Sequence, residues 1–168
     1  MRVLGIDCGT EFTGFGVVDQ LSGSELRFVA AGAIRLYKQQ SLPVRLGQVF
    51  EELQKIILTH SPDMVAIEEV FYSVNAKTAL KLGQVRGVAM LAASYSGLEV
   101  AEYSPLAIKS AVVGYGKADK HQVQSMIVRL LKLDSPPERL DASDALAIAI
   151  CHLHTAGTLS RYHALGRG

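Results

Sequence analysis

The chain has 168 residues, of which 49% are hydrophobic and 20% are charged. This is enough for one compact domain with a sizeable core, too short for two ordinary domains, and too apolar for a disordered chain. Lys and Arg total 17 and Asp and Glu total 16, so the formal net charge is only +1. The composition excludes a uniformly basic, histone-like protein, but it is compatible with a local basic patch that binds nucleic acid.

The cysteine count indicates a reducing compartment, and the apolar runs indicate a protein without a membrane span or signal peptide. Cys8 and Cys151 are too few for a disulfide framework and form no CxxC motif. No apolar run approaches the ~20 residues of a membrane span, and the N-terminus lacks the apolar stretch of a signal peptide. We therefore expect a soluble, cytoplasmic protein with one domain, residues 1–154, followed by a disordered tail, residues 155–168, which has no apolar pattern.

The first third of the chain predicts β-strands. Short apolar runs cover Val3–Ile6 and Phe15–Val18, and a third extended stretch covers Glu25–Leu36 after the turn residues Ser22-Gly23-Ser24. Three strands that follow one another across short turns are typical of an antiparallel meander.

The pattern then changes to helices that alternate with short strands. Apolar residues at helical spacing predict helices over about Val44–Thr59, Ala76–Tyr95, Leu106–Val113, a segment capped by Asp119, and Asp141–His154. Buried-strand patterns at Met64–Ile67 and Glu99–Tyr103 precede the second and third of these helices. Strands followed by alternating strands and helices predict an α/β fold with a mixed five-stranded sheet flanked by helices.

Four acidic residues lie where α/β proteins bind ligands. Asp7 ends the first strand and Glu68 ends the strand Met64–Ile67, whereas Asp141 and Asp144 share one face of the first turn of the last helix. Carboxylates that converge at a sheet end raise one another's pKa unless a divalent cation compensates. Oxygen ligands select hard ions such as Mg²⁺ or Mn²⁺, and two such ions suit phosphodiester hydrolysis.

Each of these carboxylates also has an ordinary structural explanation. An Asp at a strand end commonly closes a turn, and Asp141 at a helix start is favourable as a cap. Only one of the neighbours Glu68 and Glu69 can face the site, because successive strand residues point to opposite faces. The combination of positions, rather than any single one, indicates a metal site.

Basic, aromatic and small residues suggest further surfaces, each with a structural alternative. The basic stretch between positions 109 and 132 is a candidate phosphate-binding surface or a solvated helix face. An aromatic ring at Phe71 or Tyr72, in an expected loop, would stack on a base or fold into the core. Small residues recur every four positions along Ala76–Tyr95, which allows close helix contact within the chain or at a dimer seam. They are Ala79, Gly83 and Gly87.

Two segments near the N-terminus resemble the opening of the ribonuclease-H-like superfamily, Leu4-Gly5-Ile6-Asp7-Cys8-Gly9-Thr10 and Thr13-Gly14-Phe15-Gly16-Val17-Val18. The same opening occurs in actin-like ATPases and sugar kinases, where the turn holds phosphates. Those proteins duplicate the fold around a nucleotide cleft, and 168 residues hold only one copy. The chain length therefore argues against them.

Further motifs, in order over about Arg2–His154, resemble the RuvC family of bacterial Holliday junction resolvases. They are Ala66-Ile67-Glu68-Glu69-Val70-Phe71, Asn75-Ala76, Ala79-Leu80-Lys81-Leu82-Gly83-Gln84-Val85-Arg86-Gly87-Val88, Ile108-Lys109, Val112-Val113-Gly114, Lys120-His121-Gln122-Val123-Gln124 and Asp141-Ala142-Ser143-Asp144-Ala145-Leu146-Ala147-Ile148-Ala149. One departure is Cys8, where many members of the family carry Pro.

The resemblance implies a ribonuclease-H-like fold and a set of site residues. The catalytic and metal-binding tetrad would be Asp7, Glu68, Asp141 and Asp144, with Glu68 rather than Glu69 as the member after Ala-Ile. Two Mg²⁺ ions per subunit are expected, with Mn²⁺ as a substitute. Contacts with DNA are expected at Phe71, Arg86, Lys109, Lys117 and Lys120.

The function implied is a structure-selective endonuclease that resolves Holliday junctions in DNA recombination and repair. Paired, symmetric phosphodiester hydrolysis would leave nicks with 5′-phosphate and 3′-hydroxyl ends. A two-fold symmetric junction needs two equivalent sites, so we expect a homodimer with Ala76–Tyr95 at its seam. The family also implies the RuvA–RuvB branch-migration complex as a partner. The alternative is a single-domain ribonuclease-H-like protein that binds nucleotides or junctions without nuclease turnover.

Overall fold

The structure is a computed structural model that describes residues 1–69 and 76–165, with side chains as far as residue 156. The strands are β1 (Arg2–Asp7), β2 (Phe12–Gln20), β3 (Leu26–Arg35), β4 (Met64–Glu68) and β5 (Val100–Tyr103). The helices are α1 (Leu42–His60), α2 (Ala76–Tyr95), α3 (Pro105–Val113), α4 (Lys120–Leu130) and α5 (Leu140–Leu165). None of the helices described is long and apolar enough to cross a membrane.

The strands form one mixed sheet in the order β3-β2-β1-β4-β5. β1, β2 and β3 pair antiparallel, as the predicted meander requires, while β4 and β5 continue the sheet parallel to β1. The predicted α/β fold with a mixed five-stranded sheet is therefore confirmed. Because β1, β4 and β5 run in the same direction, their carboxyl ends lie at one edge of the sheet.

Helices cover both faces of the sheet, and the alternation of side chains along β1 divides the core between them. Leu4 and Ile6 pack in one apolar cluster with residues of α1 and α2, such as Leu53 and Ala89. Val3 packs in a second cluster with residues of α3, α4 and α5. The buried run of α5 therefore lies against the sheet itself.

Glycines in β1 and β2 let α5 approach the sheet backbone closely. A Cβ atom at Gly5 would overlap the carbonyl oxygen of Ala145 and lie 2.7 Å from the backbone nitrogen of Ala149. A Cβ atom at Gly14 would overlap the carbonyl oxygen of Asp141. Backbone atoms cannot give way as a flexible side chain can, so larger residues at these positions would push α5 outward.

The last helix is longer than the sequence predicts. The expected end of this helix at His154 is wrong, because α5 continues to Leu165. The disordered tail expected over residues 155–168 is therefore corrected to helix over residues 155–165. The Thr155 hydroxyl donates to the carbonyl oxygen of Cys151 at 2.8 Å, and no proline interrupts the segment. A helix can continue without an apolar pattern when nothing stops it. Residues 166–168 lie outside the described residues.

Substitution of Gly5 by Ala tests the close packing of α5. We expect Gly5→Ala to lower the free energy of unfolding by about 1–3 kcal/mol, the usual effect of overpacking. The matched control is Gly47→Ala in the exposed face of α1, where a Cβ meets no atom within 4 Å. This control should be neutral or stabilise by up to about 1 kcal/mol. Urea denaturation measures both, and equal stabilities for the two variants would contradict the packing argument.

Candidate active site

A cavity of about 330 Å³ opens at the carboxyl ends of β1 and β4. Carboxylates and ammonium groups line it together with apolar side chains of α3, α4 and α5. The charged residues are Asp7, Glu68, Lys109, Lys120 and Asp144, and the remaining lining residues are Pro105, Ile108, Val123, Ala147 and Ile148. The site thus joins residues that are far apart in the sequence.

The sheet register places the first two carboxylates side by side. Asp7 is the last residue of β1 and Glu68 is the last residue of β4, and the preceding residues Ile6 and Ile67 are paired in the parallel ladder. Glu68 lines the cavity, whereas Glu69 is exposed and donates its backbone N–H to the carbonyl oxygen of Tyr103 at 2.9 Å. The strand alternation therefore sends only one of the two glutamates into the site.

Asp144 and Asp141 reach this edge from the first turns of α5, and each is paired with a cation. Asp144 accepts a hydrogen bond from the ammonium group of Lys120 at 3.3 Å. Asp141 is not part of the cavity lining, and its Oδ2 accepts from the Nε and Nη2 of Arg139 at 3.1 and 2.8 Å. The structure thus brings three of the four expected carboxylates into one cavity and holds the fourth beside it.

Burial and mutual repulsion perturb the carboxylates in the cavity. Burial, followed by the charges of Asp144, Glu68 and Asp141, raises the pKa of Asp7 to about 7, and Lys120 opposes this shift. Burial and then Asp144 also raise the pKa of Glu68, against the effects of Lys120 and Lys109. The site therefore concentrates more negative charge than its two lysines neutralise.

The sequence matches the model of the family described as crossover junction endodeoxyribonuclease RuvC over residues 3–152. The chain belongs to the RuvC family. It is 60% identical to RuvC of Koribacter versatilis, over 98% of this chain and 99% of the relative. It is 57% identical to RuvC of Acidobacterium capsulatum, over 95% and 96% of the two chains.

Solved structures agree with this assignment. The Thermus thermophilus RuvC in complex with Holliday junction substrate superimposes with a TM-score of 0.89 at 31% identity, over 94% of this chain and 96% of that one. The ribonuclease-H-like fold expected from the sequence is therefore confirmed. RuvC family nucleases are in general metal-dependent enzymes.

The carboxylates of the cavity at the ends of β1 and β4 are ligands that suit a hard divalent cation, but their side chains are not arranged around a common point. Among the residues whose side chains are described, no three Asp, Glu, His or Cys side chains are grouped closely enough to hold an ion. Lys120 and Arg139 hold Asp144 and Asp141 instead. All the donors are carboxylate oxygens, and the repulsion that raises the pKa of Asp7 is what a cation would relieve.

The structure describes four of the five expected DNA-binding residues and places them in different surroundings. Lys109 and Lys120 line the cavity, and Lys117 is exposed in the turn before α4. Phe71 lies in 70–75, outside the described residues. Arg86 is only 19% exposed, pairs with Glu102 of β5, and donates its Nε to the backbone carbonyl of Glu68 at 3.2 Å. These contacts brace the ends of β4 and β5.

Arg139 and Glu102 are neighbours of the site that the sequence reasoning missed. Arg139 stands two residues before Asp141, and its guanidinium carbon lies 3.4 Å from the centroid of the Phe12 ring. A basic residue next to a candidate ligand is a signal that could have been noticed. Glu102 gave no such signal, because its partner Arg86 belongs to a different element.

The two cysteines and His152 pack in or beside the apolar core. Burial raises the pKa of both thiols, that of Cys151 to about 11, and Cys8 packs among the residues of the α1–α2 face. His152 is buried, and its Nδ1 lies 2.8 Å from the hydroxyl of Tyr103. Burial lowers the pKa of His152 and so favours its neutral form.

The perturbed carboxylate makes a prediction about stability in metal-free buffer. The pKa of Asp7 is near 7 in the folded protein and about 3.9 in the unfolded chain, so the folded state binds this proton more tightly. Ionisation of Asp7 therefore destabilises the fold progressively from about pH 4 to about pH 7. In EDTA, Asp7→Asn should be more stable than the wild type at pH 8, with the difference vanishing near pH 4.

Thermal unfolding at the two pH values measures this difference. Asp134→Asn, in an exposed turn, is the control and should match the wild type at both. An Asp7→Asn variant that is no more stable than the wild type at pH 8 would show that the carboxylates do not strain the site. Addition of Mg²⁺ at pH 8 should stabilise the wild type and leave Asp7→Asn unchanged.

Proposed function

We propose that this protein is a structure-selective endonuclease that resolves four-way Holliday junctions in DNA recombination and repair. One observation carries the proposal: three half-buried carboxylates, those of Asp7, Glu68 and Asp144, share a cavity with two lysines in a chain of the RuvC family. Carboxylates suit metal-assisted hydrolysis of a phosphodiester, and lysines suit the binding of its backbone. A protein that only bound junctions would have no need of the clustered acids.

We assign metal binding and catalysis to Asp7, Glu68, Asp141 and Asp144, with two Mg²⁺ ions per subunit and Mn²⁺ as a substitute. When bound, these ions would supply activation of water and stabilisation of the leaving oxygen. The four carboxylates orient the scissile phosphate by fixing where positive charge can sit. The ammonium groups of Lys109 and Lys120 border the cavity and would meet the phosphate oxygens of the same strand.

The remaining DNA contacts are assigned to a loop and two helices. Phe71 would help to unstack the bases at the crossover, and Lys117 would bind backbone beyond the cavity. Arg86 is kept as a candidate contact, although its ion pair with Glu102 and its bond to the carbonyl of Glu68 give it a bracing role already. The relative from Thermus thermophilus with the same fold has been solved with a Holliday junction, which supports this substrate.

Resolution by paired symmetric cuts requires two copies of the site, which we assign to a C₂ homodimer. Helix α2 presents an exposed apolar face, on which Leu80, Leu91 and Tyr95 are 70%, 57% and 76% exposed. Gly83 and Gly87 open the same helix to close contact, because a Cβ at either would meet no atom within 4 Å. We place the seam there, assign the nuclease to residues 1–154, and propose a RuvA–RuvB complex as partner and the cytoplasm as location.

A cleavage assay with a synthetic four-way junction and a linear duplex tests the function. The wild type with Mg²⁺ should cut two strands of the junction at symmetric positions, leave 5′-phosphate and 3′-hydroxyl ends, and leave the duplex intact. Asp7→Asn should reduce cleavage by more than about 100-fold, because several kcal/mol of transition-state stabilisation depend on the bound metal. The variant should still bind the junction, since it removes no phosphate contact.

The same assay separates the alternatives. Asp63→Asn, at the opposite end of β1, is the matched control and should cut like the wild type. Binding without any metal-dependent cleavage would favour a junction-binding protein without turnover. Undiminished cutting by Asp7→Asn would remove this residue from the catalytic set.

Gly83→Leu tests the proposed seam. A leucine on the close-packing face of α2 should force the two subunits apart and convert a dimer into a monomer. Analytical ultracentrifugation measures the change. Gly47→Leu on α1, which also meets open space, is the control and should leave the dimer intact. A dimeric Gly83→Leu variant would place the seam elsewhere.

A further inference from the structure

A second surface of cations and aromatic rings lies at the same edge of the sheet as the catalytic cavity. We call it the Arg35 surface, and it consists of Phe12, Arg35, Tyr37 and Lys38. These residues and their neighbours line a cavity of about 140 Å³. None of them belongs to the proposed active site or to the proposed DNA contacts.

Arg35 is held by rings rather than by a carboxylate. Its guanidinium carbon lies 5.0 Å from the centroid of the Tyr37 ring and 6.0 Å from that of Phe12. Within the described part of the chain no carboxylate pairs with it. The nearby cations Lys38 and Arg139 are already paired with Glu11 and Asp141. Arg35 is therefore the cation of this surface whose charge no carboxylate neutralises.

Ring contacts prepare a guanidinium to bind an anion. Stacking uses the flat face of the group and leaves its N–H donors at the edge, where they match the geometry of a phosphate. The backbone around Arg35 is fixed as well, because its carbonyl accepts from the Nε2 of Gln48 at 3.0 Å and the Leu36 N–H donates to the backbone carbonyl oxygen of Glu11 at 2.8 Å. Little conformational entropy would thus be lost when an anion binds.

The sheet register sets the distance between this surface and the catalytic cavity. Asp7 pairs with Gly14, which pairs with Ala33, and Arg35 lies two residues further along β3. Two residues and two strand spacings separate Asp7 and Arg35 by about 12 Å between Cα atoms. A nucleic-acid strand advances about 3.4 Å per nucleotide, so this span corresponds to a few nucleotides.

We propose that Arg35, which lies over the Tyr37 ring, binds a backbone phosphate of the junction DNA a few nucleotides from the bond that is cleaved. The inference rests on the proposed function and adds a second binding position to it. Lys109 and Lys120 approach the cavity from α3 and α4, whereas Arg35 approaches from the β2–β3 side. The protein would then contact the DNA backbone on both sides of the cleaved bond, through the two lysines on one side and Arg35 on the other.

Salt dependence of binding tests this position. Binding of a fluorescent four-way junction is measured in EDTA over about 50–200 mM salt for the wild type and Arg35→Gln. Loss of one phosphate contact makes the negative slope of log affinity against log salt shallower by about 0.9. It also weakens binding about eightfold near 0.1 M salt. Arg27→Gln is the matched control, because Arg27 lies on the same strand at its far end and pairs with Asp19. It should leave the slope unchanged.

Arg35→Lys shows whether charge or structure is responsible. Lysine keeps the positive charge without the planar fork, so the slope should stay near that of the wild type while affinity falls. An unchanged slope in Arg35→Gln would overturn the proposal. An equal loss of slope in Arg35→Lys would overturn it as well, since it would indicate a structural effect. A wild type that does not bind the junction would instead refute the proposed function.

Discussion

Close contact between α5 and the backbone of β1 and β2 is the constraint on which the site depends. Asp141 and Asp144 are carried by α5, whereas Asp7 is carried by β1, so their separation is set by how near the helix lies to the sheet. Glycine at positions 5 and 14 removes the side chains that would keep them apart. The packing of α5 therefore also sets the spacing of the carboxylates, and a change that loosens this contact moves Asp141 and Asp144 away from Asp7.

The site carries a cost that the rest of the fold must offset. Burial and mutual repulsion raise the pKa of Asp7 to about 7, and this strain is relieved when Asp7 is protonated or when a cation enters the cavity. Lys120 and Arg139 supply part of that charge through their pairs with Asp144 and Asp141. A buried apolar layer on each face of the sheet keeps the strands in register despite the repulsion at their ends.

The location of the positive charges in this protein matters more than their number. The formal net charge is only +1, yet two lysines line the cavity and Arg35 lies over the Tyr37 ring on the β2–β3 side of it. Other arginines form ion pairs at the far end of the sheet, as Arg2 and Arg27 do with Asp19. Lys109 and Arg35, for which no ion pair is seen in the described part of the chain, therefore offer positive charge to a polyanion at the edge where the carboxylates lie.

The sequence by itself determined the order of strands and helices, the sheet class and the strand-end positions of Asp7 and Glu68, because these follow from local periodicity and from motif order. Only the tertiary structure decided which partner each long cation takes: Arg139 with Asp141, Arg86 with Glu102, and Arg35 with Tyr37. Flexible side chains can reach several neighbours, and spacing along the chain does not rank them. The extension of α5 to Leu165 was likewise undetermined, because a helix without an apolar face leaves no periodic signal.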